Sequence, residues 1–85
     1  MWLARVYVTL KPTVNDPQGL AIRGGLHHLG FEAVSSVRAG KYLELTIDGP
    51  TEQEARDQVD RMCRQLLANP VIEEYRFELS PASPS

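Results

Sequence analysis

The sequence predicts an α+β domain whose elements follow the order β-α-β-β-α-β. Three observations predict it. In some stretches the apolar side chains recur at every second position, in others they recur at helical spacing, and glycine or proline separates most of these stretches. Short, right-handed connections would fold this order into a four-stranded antiparallel sheet with both helices on one face, the ferredoxin-like plan. We expect a single domain over residues 1–79 and a disordered Ser/Pro tail over residues 80–85.

The first strand is predicted over residues 2–10, whose side chains fall alternately on an apolar face and on a second, mixed face. Its second face is only partly polar, because it includes Leu3 and Tyr7, so we expect that face to be covered. The first face carries Trp2, Ala4, Val6, Val8 and Leu10.

The first helix is predicted to begin after Asp16, an N-cap residue followed by Pro17 at the first helical position. It should end at Gly30, which can take the left-handed conformation common after a helix. Gly24 and Gly25 stand in its middle, where each costs about 1 kcal/mol relative to alanine. The helix is therefore weak, or another element approaches it closely at Gly25.

A hairpin is predicted next, from residues 31–38 and 41–48 with a turn at Gly40 in positive φ. The second of these strands places its apolar residues on the face opposite Tyr42. The second helix then starts at Thr51, which forms a capping box with Glu54, and ends before Pro70. The last strand is predicted over residues 71–79, which alternate again.

Composition excludes several classes of protein. The 85 residues carry 9 Lys and Arg against 11 Asp and Glu, a net charge of -2, which argues against nucleic acid as a partner. The sequence has neither a signal peptide nor an apolar run approaching the about 18 residues of a membrane span, so we expect a cytoplasmic protein without a membrane partner. Cys63 is a single cysteine and forms no internal disulfide, and the core is small, so we expect an oligomer.

The reactive side chains do not form a catalytic constellation. His27 and His28 are neighbours on a helix and point about 100° apart, so they do not chelate one ion, and we expect solvated side chains. Cys63 lies on the apolar stripe of the second helix, where a small buried hydrophobe is the simpler interpretation than a nucleophile. The residues alone indicate a non-catalytic module without a cofactor or metal site.

Five stretches of the sequence occur in an order and at a spacing that resemble a known family. They are residues 6–12 (VYVTLKP), 16–19 (DPQG), 26–31 (LHHLGF), 37–42 (VRAGKY) and 63–73 (CRQLLANPVIE). The family is PurS, the small subunit of phosphoribosylformylglycinamidine (FGAM) synthase. The resemblance covers nearly the whole chain except the tail, and Gly24 and Gly25 depart from the helix-forming residues more usual there.

The resemblance implies a non-catalytic, cytoplasmic subunit in purine biosynthesis. The complex converts formylglycinamide ribonucleotide, ATP and glutamine into the amidine, ADP, phosphate and glutamate. In such a family the small subunit is a homodimer or homotetramer, and it bridges the large synthetase subunit (PurL) and the glutaminase subunit (PurQ) for ammonia transfer. ATP and Mg²⁺ then belong to the large subunit, and this chain holds no cofactor.

Two sets of residues are candidates for contacts. For self-association we select the sheet-face residues Leu3, Tyr7 and Tyr42. For the larger subunits we select two proline-containing loops, residues 11–19 and 68–73. The loop candidates are Lys11, Pro12, Asp16, Gln18, Asn69, Pro70 and Glu73.

Other interpretations stay open at this point. Asp16 could only cap a helix, and Asn69 with Pro70 could only end one. An ACT-type domain that senses a small molecule has the same order of elements and also dimerises. Acylphosphatase-like catalysis would need a glycine-rich loop with an arginine after the first strand, where this chain has residues 11–15 (KPTVN).

Overall fold

The chain folds into an α+β structure built on one antiparallel sheet, as seen in a computed structural model that describes residues 1–49 and 51–82. A π-helical turn, Cys63–Leu67, extends the second helix. The elements in chain order are β1 (Trp2–Leu10), α1 (Pro17–His28), β2 (Gly40–Ile47), α2 (Glu52–Met62) and β3 (Glu73–Pro81).

The sheet of the described chain has three strands in the order β2-β1-β3, and the prediction of four strands is wrong. Both neighbours run antiparallel to β1, and Tyr7 at its centre pairs with Tyr42 on one side and Arg76 on the other. This register places the predicted apolar residues of β1 on one face and the mixed residues on the other, as the alternation indicated.

The missing strand is the one predicted over residues 31–38, which forms no regular element. Polar groups in and just after this stretch bond to the preceding helix and its N-cap instead: the Val34 carbonyl accepts from His27, and the Ala39 N–H donates to Asp16. The hairpin turn is absent too, because Gly40 opens β2 and pairs with Thr9. We call residues 31–39 the return segment.

Both ends of α1 agree with the sequence. The Asp16 carboxylate accepts the N–H of Gly19 at 2.9 Å, which confirms the N-cap. Gly30, at φ 101°, is the one residue of the described chain with positive φ. The Phe31 N–H donates to the Leu26 carbonyl at 2.9 Å, as in a Schellman motif.

The helix α2 covers the sheet. Its N-cap is confirmed, since the Thr51 hydroxyl accepts the Glu54 N–H at 3.1 Å. At its end the Ala68 N–H donates to the Cys63 carbonyl at 2.9 Å, the wider repeat of a π-turn. The core between helix and sheet consists of Ala4, Val6, Val8, Ile47, Ala55, Val59, Cys63 and Ala68, all buried.

The helix α1 does not pack on the sheet, so within one chain the prediction of two helices on one face is also wrong. Gly19 is the one buried residue of this helix in the described chain, and the main contact of a helix with the sheet is that of α2 with β1. Ile22 of α1 and Leu29, the C-cap of this helix, remain 43% and 72% exposed. A helix whose apolar stripe meets solvent is missing its packing partner.

The domain boundary lies further along the chain than expected. Ser80 and Pro81 belong to β3 and pair with Leu3 and Trp2, and the Ala82 N–H donates to the Met1 carbonyl at 2.9 Å. The predicted disordered tail therefore does not begin at residue 80. Residues 83–85 of that prediction lie outside the described residues.

Candidate functional site at the loop end of the sheet

The two loops selected from the sequence meet at one end of the sheet. The Lys11 N–H donates to the Ile72 carbonyl at 2.8 Å, which joins residues 11–19 to residues 68–73. The end of the return segment arrives at the same place, because Gly40 pairs with Thr9 near the end of β1. We call this surface, formed by residues 11–19, 36–40 and 68–73, the loop end.

Asp16 does more than cap α1. One carboxylate oxygen accepts the Gly19 N–H, and the other accepts the Ala39 N–H, also at 2.9 Å. These two hydrogen bonds, with the nearby Arg38 guanidinium as a smaller contribution, lower the pKa of Asp16 below its usual value against a small opposing effect of burial. Asp16 therefore ties the helix to the return segment, and its oxygens are already engaged within the chain.

Arg38 is the central side chain of the loop end, and the sequence analysis missed it. Its guanidinium donates to the Thr9 hydroxyl at 3.1 Å, to the Leu10 carbonyl, and to the Glu74 carboxylate at 2.9 Å. One cation thus joins the return segment to β1 and β3. The ion pair is exposed and contributes little stability by itself. Arg38 therefore acts mainly by fixing the position of the return segment against β1 and β3. An arginine inside an alternating stretch carried no signal of this role.

The loop of residues 68–73 is held by its own side chains. The Glu73 carboxylate accepts the Asn69 N–H at 2.7 Å, and the Asn69 side-chain oxygen accepts the Val71 N–H at 3.0 Å. Asn69 and Glu73 therefore hold the conformation of this loop through hydrogen bonds within it. The loop exposes Pro70 together with Val71, which is 77% exposed and was not among the individual candidates.

The remaining loop candidates are available for contacts. Gln18 is exposed and shares a shallow depression with Asp16 and Glu73. Lys11 and Pro12 line a neighbouring open groove of about 500 Å³, between the 11–16 loop and the return segment. The loop end thus combines a backbone held by internal hydrogen bonds with free polar side chains at its rim, an arrangement that can bind another protein with little ordering cost.

The self-association candidates lie on the sheet face away from α2. The rings of Tyr7 and Tyr42 pack with centroids 5.1 Å apart, and the Arg76 guanidinium lies 4.0 Å from the Tyr7 centroid. Leu3 is on the same face, but the charged residue Arg5, paired in register with Glu44 and Glu78, separates it from the tyrosines. The three candidates therefore share a face without forming one apolar patch.

The other reactive side chains have structural environments. His27 is half-buried, and its Nε2–H donates to the Val34 carbonyl at 2.7 Å, so it is not the solvated residue we expected. Cys63 is buried as predicted, and burial, with a smaller effect of Asp60, raises the pKa of its thiol.

The described residues contain no group of three or more His, Cys, Asp or Glu that could hold a metal ion. No helix in the described part of the chain has the length and apolar character to cross a membrane.

The role of Asp16 predicts a pH dependence. A carboxyl whose pKa is lower in the folded than in the unfolded chain stabilises the fold above the unfolded value of about 4, and this contribution is lost as the pH falls through the lower, folded value. We expect Asp16→Asn to unfold at a lower urea concentration than wild type at pH 6, and the difference to narrow at pH 3. Asp57→Asn, on the exposed side of α2, is the control. A difference that stays constant between the two pH values would contradict this role.

These features define a small α+β module: one open sheet, one helix packed on it, and an ordered loop end with free polar groups.

Comparisons with known proteins agree on a narrower class. Residues 3–81 match the family model described as "PurS: Phosphoribosylformylglycinamidine (FGAM) synthase". A PurS subunit of this synthase from Synechocystis is 57% identical over 76 residues, 89% of this chain and 76% of that protein.

Solved structures show the same similarity. Bacillus subtilis PurS superposes with a TM-score of 0.85 at 46% identity, over 95% of this chain and 100% of that one. A chain in the structure of PurLQS from Thermotoga maritima superposes with a TM-score of 0.86 at 29% identity, over 93% of this chain and 96% of that one. The chain belongs to the PurS family and is a subunit of FGAM synthase, an enzyme of purine biosynthesis.

Proposed function

We propose that this chain is the non-catalytic bridging subunit of the synthase: it binds the large synthetase subunit, PurL, and the glutaminase subunit, PurQ, so that ammonia passes between their sites. The observation that carries the proposal is the match over residues 3–81, together with a Thermotoga maritima structure named PurLQS that contains a chain of this fold. The same match favours a synthase subunit over the ACT-type sensing domain that the sequence left open.

The proposal assigns the chemistry to the partners. The assembled complex converts formylglycinamide ribonucleotide, ATP and glutamine into the amidine, ADP, phosphate and glutamate, with ATP and Mg²⁺ held by the large subunit and no cofactor in this chain. Two side chains that sequence reasoning considered for chemistry support this division, since Cys63 is buried with a raised thiol pKa and His27 bonds to a backbone carbonyl. We place the complex in the cytoplasm, where purine biosynthesis supplies its substrates.

The loop end is the proposed contact with the larger subunits. Its backbone is held by Asp16, Arg38 and Glu73, so binding need not order a mobile loop. Lys11 and Gln18 are the side chains best placed for the contact, because neither side chain takes part in the hydrogen bonds that hold the loops.

Self-association completes the proposal, as a homodimer or homotetramer. The sheet face with Tyr7 and Tyr42 is one surface for it, because this pair of packed, tilted rings beside Arg76 is half-exposed in the single chain. Aromatic and arginine side chains are the types that contribute most to interfaces when they become buried.

The loop end can be tested by alanine substitution. We expect Lys11→Ala and Gln18→Ala each to weaken binding to PurL about tenfold, as removal of a central interface side chain does. The fold should persist, because the Lys11 bond to Ile72 uses the backbone N–H. Binding is measured by calorimetry with the PurL and PurQ subunits of the same organism, and circular dichroism checks the fold.

Gln65→Ala, an exposed glutamine on the π-turn, is the matched control and should bind like wild type. Unchanged affinity of both loop-end variants would remove the loop end as the contact surface. A wild-type chain that binds neither PurL nor PurQ would overturn the bridging role itself.

A further inference from the structure

Several apolar side chains are exposed together at the end of α2. Leu66, on the π-turn, is 82% exposed, and Val71, in the loop that follows, is 77% exposed. Met62 and Ile72, at the two ends of this stretch, are exposed as well. Single exposed apolar residues are normal on a protein surface, but four within residues 62–72 form a patch of the kind that binds another protein. We call these four residues the π-turn patch.

The members of the π-turn patch are close in space as well as in sequence. Met62 and Leu66 are four positions apart, so their side chains lie on the same side of the helix. The chain then turns back directly after the helix, because the Ile72 N–H donates to the Asn69 carbonyl at 3.2 Å. This turn keeps Val71 and Ile72 next to the helix end.

The π-turn is the reason that Leu66 points outward. At about 100° per residue, an α-helix would place Leu66 only about 60° from the direction of the buried Cys63, at the margin of the core. In the π-turn the Ala68 N–H donates to the Cys63 carbonyl at 2.9 Å, and the wider spacing of this bond means that each residue advances by a smaller angle. Leu66 is thereby rotated away from the sheet, whereas Leu67 still packs against the core. Such turns are rare within helices and often lie at functional sites.

The loop half of the π-turn patch is ordered before any partner binds. The Asn69 side-chain oxygen accepts the Val71 N–H, and the Glu73 carboxylate accepts the Asn69 N–H. Val71 is also β-branched, so its side chain has few rotamers to lose. An apolar side chain presented in this way can enter an interface at little entropic cost.

The π-turn patch continues into the loop end. The Ile72 carbonyl accepts the Lys11 N–H at 2.8 Å, and Gln18 shares a depression with Glu73. Free polar side chains therefore border an apolar area, and protein interfaces have this composition, with an apolar centre and a polar rim. A stable interface takes about 20 to 30 residues from each partner, far more than the patch supplies, so we treat the patch and the loop end as one surface.

We propose that the π-turn patch is the apolar centre of the contact with the synthetase subunit, PurL, and that it docks on an apolar surface of that subunit with Lys11 and Gln18 at the polar rim. The inference rests on the function proposed above, which assigns the loop end to the larger subunits, and it names the side chains that supply the affinity. Apolar area gains free energy in proportion to the area removed from water, whereas exposed polar groups only exchange bonds with water for bonds with the partner.

Alanine substitution tests the patch. We expect Leu66→Ala and Val71→Ala each to weaken binding to PurL about tenfold in calorimetry, because each removes at least two carbon atoms that become buried in the contact. Both side chains are exposed in the single chain, so the urea midpoint of the free subunit should stay unchanged. Its oligomeric state, measured by sedimentation, should also be that of wild type.

The matched control is Gln65→Ala, which serves for the loop end as well. Gln65 precedes Leu66 on the π-turn and is exposed, but adjacent helical positions point to different sides. We expect it to change the affinity for PurL less than about twofold. Equal losses for Gln65→Ala and Leu66→Ala would contradict the proposed patch.

The heat-capacity change of binding separates the apolar centre from the polar rim. Burial of apolar surface makes this quantity negative, so we expect Leu66→Ala to make it less negative in calorimetry at several temperatures. Lys11→Ala should keep the wild-type heat-capacity change and instead reduce the dependence of the association on salt concentration. A wild-type heat-capacity change for Leu66→Ala would overturn the proposal even if the affinity falls.

The remaining outcomes separate this inference from the function it rests on. If Lys11→Ala weakens binding to PurL while Leu66→Ala and Val71→Ala bind like wild type, the patch is overturned and the loop end stands. If the patch variants lose binding to PurQ only, or lose self-association only, the patch belongs to the glutaminase subunit or to a second copy, and the assignment to PurL is overturned. A wild-type chain that binds neither PurL nor PurQ overturns the proposed function itself.

Discussion

Gly40→Ala is expected to lower the free energy of unfolding by about 2 kcal/mol, because the added methyl group collides with the neighbouring strand. A Cβ at this position would fall on the Val8 carbonyl oxygen and 2.9 Å from the Thr9 methyl group, both on the central strand. Neither can move aside without opening the β1–β2 pairing, because β1 is held by ladders on both sides. The variant should also loosen the loop end, since Gly40 follows directly on Ala39, the second partner of Asp16.

Urea unfolding at one fixed protein concentration measures the effect, because the stability of a self-associating chain depends on concentration. Gly49→Ala is the control: a Cβ there meets no atom of the described chain within 4 Å, so we expect a change below about 0.5 kcal/mol. Equal midpoints for the two glycine variants would show that β1 and β2 are not paired as closely as described.

Val59→Ala is expected to lower the free energy of unfolding by about 2 kcal/mol, because it removes two buried methyl groups and leaves a cavity. Val59 is fully buried, and it shares the docking face of α2 with Ala55, which is small, and Cys63. Val59 is one of the few large side chains that are fully buried between α2 and the sheet. For a chain of 85 residues, whose total stability is about 4 to 13 kcal/mol, the loss is a large fraction.

The matched control is Arg61→Ala, two positions further along α2 on its exposed side. It should change stability by less than about 0.5 kcal/mol. Alanine favours the helix at least as well as arginine or valine, so helix propensity cannot cause a loss in either variant. A fall in stability of the same size for Arg61→Ala would therefore contradict the assignment of the Val59 effect to packing on the sheet.

The predictions that succeeded depend on neighbours in the sequence. Asp16, Gly30 and Thr51 end or begin helices as expected, because a cap needs only a side chain and a backbone group a few residues away. The alternation in β1 assigned both faces of the sheet correctly. Cys63 was placed in the core from the apolar spacing of α2 alone.

The predictions that failed depend on distant partners. The sequence predicts a strand over residues 31–38, but a strand needs a neighbouring strand to pair with. Asp16 and His27 bond to the return segment instead, and Arg38 extends from it to β1 and β3. The predicted plan also covers α1 with the sheet, but Ile22 on this helix is 43% exposed. Its cover is missing within one chain because the loop end holds the helix away from the sheet.

The candidate site shows the same division. The sequence selected two ordered loops that meet at one end of the sheet, because proline and Asx residues mark ordered turns. It could not separate the residues that hold the loops, such as Asp16 and Glu73, from those that remain free, such as Lys11 and Gln18. It also passed over Arg38, whose three acceptors lie 28, 29 and 36 positions away.

The sequence by itself determined the helix caps, the core face of the central strand and membership of the PurS family. Only the tertiary structure decided that the sheet has three strands, that Arg38 and Asp16 build the loop end, and that α1 stands apart from its own sheet. The physical reason is the range of the interactions. Caps and alternation are local and recur in any fold, whereas strand pairing and helix docking depend on groups that are far apart in the sequence and meet only in the folded chain.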